Sequence, residues 1–134
     1  MKLSVYSDGA SRGNPGPSAI AFMILSDNNR VLKKNSEYLG IRTNNQAEYE
    51  ALISALKFAS KLTGQEVICY LDSALVVKHL NGDYRVRNPQ LKLLWQKVHE
   101  LVQGFQKTSF IHVPRSDRYI QRVDQLANQA LNRV

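Results

Sequence analysis

The chain has 134 residues, with 18 Lys and Arg against 11 Asp and Glu, so its formal charge is +7. An apolar share of 43 %, 22 % charged residues and only 7 Gly and 4 Pro exclude collagen-like, low-complexity and disordered classes and leave a folded, basic chain able to bury a core. A single domain over residues 1–134 is expected at this length. Apolar stretches such as Ala19 to Leu25 fall far short of the ~20 residues of a membrane helix. The N-terminus reaches Ser7 and Asp8 before an export signal could form, so the expected setting is cytoplasmic, away from membranes. Cys69 is the one cysteine; it cannot pair internally, suits a reducing compartment and reads as a small residue of a buried strand. The surplus positive charge favours polyanionic partners.

Residues 2 to 8 alternate Leu3, Val5 and Ser7 with Ser4, Tyr6 and Asp8, the period of a strand. A loop punctuated by Gly9, Gly13, Pro15, Gly16 and Pro17 follows. Residues 19–25 and 31–40 then read as two further strands of an antiparallel meander. From Asn45 the spacing becomes helical, with Ala47, Ala51, Leu52, Ala55, Leu56 and Ala59 on one stripe and Gly64 beyond the end. The continuous apolar run 67–71 predicts a strand covered on both faces, stopping at Asp72. Residues 73–80 predict a short helix, and Asn88-Pro89 opens a longer one with Asn as N-cap and Pro at the first turn. Its stripe is Leu91, Leu94, Trp95, Val98 and Leu101. A last strand covers 107–113 and an amphipathic helix 120–134, with Val123, Leu126, Ala127, Ala130 and Leu131 inward. The order βββ-α-β-α-α-β-α describes one mixed α/β sheet flanked by helices.

Four carboxylates sit where a charge is unexpected. Asp8 and Asp72 each terminate a strand, and ligands gather at the carboxyl ends of strands in open α/β sheets. Glu48 lies on the apolar stripe of the first helix, and Asp124 shares a face with Ala127 and Leu131. Each has a structural alternative. Asp8-Gly9 could be a turn, Glu48 could close a capping box with Asn45, Asp72 could cap the next helix and Asp124 could complement a helix dipole. If the first and fourth strands are parallel neighbours, all four acids could meet at one end of the sheet, where cations would relieve their repulsion. A pure binder of polyanions has no use for four convergent carboxylates.

Four segments, YSDGASRGNPG at 6–16, TNNQAEYEAL at 43–52, YLDSALVV at 70–77 and VPRSDRYIQRVDQLANQAL at 113–131, make the chain resemble a type 1 ribonuclease H along essentially its whole length. The resemblance implies a ribonuclease H-like fold, a five-stranded mixed sheet in order 3-2-1-4-5. It implies endonucleolytic cleavage of the RNA strand of RNA/DNA hybrids, leaving 5′-phosphate and 3′-hydroxyl ends. It further implies that Asp8, Glu48, Asp72 and Asp124 ligate two Mg²⁺ ions, or Mn²⁺ in their place. Ser11, Asn14, Asn44 and Asn45 match family positions that read the 2′-hydroxyl-bearing minor groove, and Thr43 and Asn88 match a pocket for a phosphate of the DNA strand. Two departures stand out. Where bacterial relatives commonly carry a catalytic His before the last Asp, this chain offers Arg115, as in an archaeal-like branch; its guanidinium stays protonated and can only orient phosphate or assist the leaving group. The basic protrusion is also missing: only NGDYRVRNPQ separates Leu80 from Leu91, so grip on the duplex is weaker or falls to Arg12, Arg85, Arg87, Arg118 and Arg122. The expected partner is the RNA/DNA hybrid, with a monomeric enzyme and no obligate protein partner.

Overall fold

The structure, a computed structural model, describes all residues 1–134. Nine elements follow in chain order: β1 (Lys2–Ser11), β2 (Gly16–Leu25), β3 (Val31–Arg42), α1 (Asn44–Ala59), β4 (Glu66–Leu71), α2 (Ala74–Leu80), α3 (Pro89–Val102), β5 (Lys107–His112) and α4 (Arg118–Asn132). The strands form one sheet in the order β3-β2-β1-β4-β5, as the resemblance implies. The meander β1-β2-β3 is antiparallel, whereas β4 lies parallel to both β1 and β5.

Strand alternation sends side chains of β1 and β4 to two different cores. Leu3 and Val5 of β1 and Val67, Cys69 and Leu71 of β4 pack with α1, α2 and α3 in the larger core. Tyr6 and Ala10 of β1 face α4, where Val123 and Ala127 pack on Ala21, Met23 and Leu25 of β2. Ala47, Ala51, Ala55 and Ala59 line the buried stripe of α1, and their small side chains let the helix lie close to the strands. Burial of a Leu such as Leu52 or Leu56 contributes about 2 kcal/mol each.

Several boundaries differ from the sequence reading. β1 runs through Asp8-Gly9 to Ser11, because Asp8 to Ser11 continue the ladder with Ala21 to Ser18 of β2. The Gly- and Pro-rich stretch is therefore mostly strand, and no turn forms at Asp8-Gly9. The N-cap of α1 is Thr43, with a reciprocal capping box to Gln46. Ser73, not Asp72, caps α2. α4 starts at Arg118, capped by Asp117, whose carboxylate accepts from the amides of Tyr119 and Ile120. Asn88 caps α3 as the sequence predicts, accepting from the amides of Gln90 and Leu91. No helix is long and apolar enough to cross a membrane.

Candidate functional site

The register of the parallel pair assembles the site. Tyr6 pairs with Tyr70 across β1 and β4, and two residues further along each chain stand Asp8 and Asp72. Both side chains point to the α4 side, from which Asp124 approaches. Glu48 arrives from α1 through a gap that Gly9 leaves open. A Cβ on Gly9 would lie 2.4 Å from the Ala47 carbonyl carbon and 2.6 Å from the Glu48 nitrogen, so only glycine permits this approach of strand and helix. The Gly9 amide then donates to Glu48 Oε1 at 3.1 Å.

Asp8, Glu48 and Asp72 each offer a carboxylate oxygen within 4.8 Å of the others. Asp124 lines the same open cleft of about 580 Å³ but stands outside that closest group. Asp8 and Glu48 are 4 % and 8 % exposed, so their negative charge is poorly solvated. Burial, followed by the charge of Glu48, pushes the Asp8 carboxyl far above the ordinary carboxylate range. Burial also pushes Glu48 up, to about 7, helped by the charge of Asp72 and opposed by the hydrogen bond from the Gly9 amide. Glu48 Oε2 is buried without any hydrogen-bond partner. A buried oxygen with a free lone pair beside two further carboxylates is a donor set for a hard divalent cation, so the residues present fit a metal.

None of the four structural alternatives accounts for its acid. Asp8 is in mid-strand, Glu48 is outside the capping box, Asp72 caps nothing, and Asp124 lies beyond the first turn of α4. Arg115 Nε stands 3.6 Å from Asp72 Oδ2, with its side chain 90 % exposed. His112, read from the sequence as a strand residue, ends β5 and its Nε2 lies 3.2 Å from the Asp72 carbonyl oxygen. Ser11, Asn44 and Asn45 line the carboxylate cleft, whereas Asn14, Thr43 and Asn88 line an adjoining one of about 260 Å³, and Asn45 borders both. Asn14 Oδ1 accepts from the Asn44 amide at 3.0 Å, tying the β1–β2 loop to the start of α1. Gln46 and Gln90 bridge α1 to α3 at 2.9 Å. Sequence reasoning missed Gly9, Gln46 and Asn128 as parts of the site; a glycine inside an alternating run was the available signal for Gly9.

Comparison with known proteins follows the same residues. A family model described as "Reverse transcriptase-like" matches residues 6–130. Ribonuclease HI of Halobacterium salinarum is 40 % identical over 131 residues, covering 98 % of this chain and 65 % of that protein. Ribonuclease H of Ehrlichia chaffeensis is 31 % identical, covering 98 % of this chain and 96 % of that one. The chain belongs to the ribonuclease H family.

Structural similarity agrees with that assignment. The crystal structure of the Halobacterium RNase H1 superposes with a TM-score of 0.95 at 38 % identity over 100 % of both chains. That of LC11-RNase H1 in complex with RNA/DNA hybrid gives 0.90 at 38 % identity, over 98 % of this chain and 97 % of that one. The chain spans 65 % of the length of the Halobacterium ribonuclease HI and 36 % of that of mycobacterial relatives. The family is metal-dependent, and this chain has an acidic cluster in Asp8, Glu48 and Asp72.

Proposed function

We propose that residues 1–134 act as one catalytic domain, a metal-dependent endoribonuclease that cuts the RNA strand of RNA/DNA hybrids and leaves 5′-phosphate and 3′-hydroxyl ends. The observation that carries this reading is the convergence of Asp8, Glu48 and Asp72 within 4.8 Å, with Glu48 Oε2 unpartnered. Such a group destabilises the fold unless cations neutralise it. The complex of LC11-RNase H1 with an RNA/DNA hybrid supports the substrate class. Asp8, Glu48 and Asp72 would hold one Mg²⁺ or Mn²⁺, and Asp124, with Asp8, a second. Cations held there supply charge neutralisation at the scissile phosphate and Lewis-acid activation of the attacking water.

The other residues bind and orient the duplex. Ser11, Asn14, Asn44 and Asn45 offer short polar groups and backbone amides to the shallow minor groove, where 2′-hydroxyls distinguish RNA from DNA. Thr43 and Asn88 line a pocket suited to one phosphate of the DNA strand, a contact that positions without reading sequence. Arg115, permanently charged, steadies the scissile phosphate and the departing oxygen. The enzyme works as a monomer in the cytoplasm without an obligate protein partner. Labelled RNA/DNA hybrid, DNA duplex and RNA duplex incubated with Mg²⁺, Mn²⁺ or EDTA test this reading. Cutting of the RNA strand of the hybrid, abolished by EDTA, is expected. Activity that survives EDTA would overturn the metal chemistry, and an intact hybrid in both metals would overturn the substrate.

A further inference from the structure

The helices that bring Glu48 and Asp124 to the cleft pack on opposite faces of the sheet, and one short loop reaches both. It joins β1 to β2 across residues 12–15. On the α1 side, Asn14 Oδ1 accepts from the Asn44 amide at 3.0 Å. On the α4 side, Arg12 Nη2 donates to Asn132 Oδ1 and, at 3.4 Å, to the Asn128 carbonyl oxygen. Ala10 packs with Ala19 against Ala130 and Leu131, so the last turns of α4 rest on the strand end from which Arg12 projects. Backbone contacts hold the loop in one shape. The Arg12 amide donates to the Pro17 carbonyl oxygen at 2.8 Å, and Gly16 lies so close that a Cβ there would stand 2.4 Å from the Arg12 carbonyl oxygen.

Arg12 is exposed and forms no ion pair; its guanidinium is engaged by α4 alone. The end of a helix is a favourable place for it, because the last carbonyls accept hydrogen bonds from cationic side chains and the helix dipole attracts positive charge there. From that anchor the path to the carboxylates is short. Asn128 lines their cleft, and its Nδ2 donates to the Asp124 carbonyl oxygen, one turn earlier, at 3.0 Å. The Asp124 carboxylate forms no ion pair, so the placement of α4 decides where it stands. Because α4 is one unbroken helix from Arg118 to Asn132, a shift of its last turn is passed on to Asp124.

We propose that Arg12 is a positioning residue: by clasping the last turn of α4 it holds Asp124 and Asn128 in place against Asp8, and it does not grip the duplex. This rests on the metal-dependent ribonuclease reading above and concerns the ion that Asp124 and Asp8 would hold.

Arg12→Gln and Asn132→Ala break the clasp from its two sides, both at exposed positions, and Asn132→Ala leaves the Arg12 charge free for nucleic acid. Each lowers kcat about tenfold, short of the ~hundredfold that a full 1 Å displacement costs, leaves KM for the hybrid unchanged and raises the Mg²⁺ concentration for half-maximal rate. The double variant is no worse than either single one, as expected of two ends of one interaction. Asn132→Asp, whose carboxylate still accepts from Arg12, keeps wild-type turnover. Hybrid affinity is measured in EDTA across a salt series. A positioning role leaves the affinity and salt slope of Arg12→Gln at wild-type values, whereas loss of a phosphate contact weakens binding and reduces the slope by about one. A reduced slope beside a fully active Asn132→Ala overturns the proposal, because Arg12 then grips phosphate. Additive losses in the double variant overturn it too, as does lowered turnover with an unchanged metal requirement. Wild-type cleavage of the hybrid is the reference: its absence would sink the ribonuclease reading itself, whereas cleavage that Arg12→Gln and Asn132→Ala both leave unchanged sinks only the clasp.

Discussion

Gly9→Ala tests whether the close approach of β1 to α1 builds the site. The added methyl would lie 2.4 Å from the Ala47 carbonyl carbon, where ordinary contact begins at 3.4 Å. The obstacle is backbone, so α1 must retreat by about 3.4 − 2.4 = 1.0 Å at Ala47 and carry Glu48 with it. The Gly9–Glu48 hydrogen bond, already 3.1 Å long, then opens and Glu48 leaves the other two carboxylates. Overpacking of this kind costs about 1–3 kcal/mol, or roughly 4 °C of melting temperature per kcal/mol at this chain length. A displacement of about 1 Å in a catalytic constellation lowers turnover by about a hundredfold. Thermal melting and single-turnover cleavage of hybrid are the assays. Gly64→Ala is the control, because its Cβ would meet only the Gly104 carbonyl oxygen at 3.6 Å. A Gly9→Ala protein that melts and cuts like the wild type would refute the reasoning.

Asp8→Asn removes the most strongly perturbed charge of the site: cleavage should drop to background, hybrid binding should persist, and melting in EDTA should rise. Loss of fold and binding together would make Asp8 a structural residue instead. The pH dependence of stability has a definite sign. Asp8 and Glu48 are held above the unfolded carboxylate value of about 4. From there up to about 7 for Glu48, and beyond that for Asp8, the native chain keeps protons that the unfolded chain has released. Stability without cations therefore falls as pH rises, by roughly 1 kcal/mol per pH unit for each proton retained. Melting temperatures in EDTA should decline between about pH 5 and 7, with millimolar Mg²⁺ or Mn²⁺ flattening the slope; stability that climbs with pH in EDTA would contradict the buried-charge account. Arg115→Ala should slow turnover about tenfold or more while calorimetry finds metal binding retained; an unchanged rate would remove Arg115 from the chemistry.

Much of the architecture was legible because periodicity reports which face is buried. The alternation of Leu3, Val5 and Ser7, the apolar run of β4 and the alanine stripe of α1 each identified an element within a few residues. Legibility failed where tertiary pairing overrides local preference. Gly9 and Gly16 look like turn residues, yet the first admits a helix and the second approaches the Arg12 backbone, both inside paired strands. The sequence suggested a capping box between Asn45 and Glu48; the structure forms it between Thr43 and Gln46, which frees Glu48 for the cleft. The acids were visible singly as misplaced charges, but their convergence depends on β4 lying beside β1. No local signal carries that pairing; the family resemblance did.

The parallel neighbourhood of β1 and β4 has a consequence for biosynthesis. β4 reaches its place only after the chain has gone out through β2 and β3 and returned through α1, so the carboxylates come together late, by contacts distant along the polypeptide. A nascent chain stalled before Asp72 lacks both Asp72 and Asp124 and leaves Asp8 and Glu48 without their neighbours. The carboxylate cluster and the finished tertiary structure therefore come into being together.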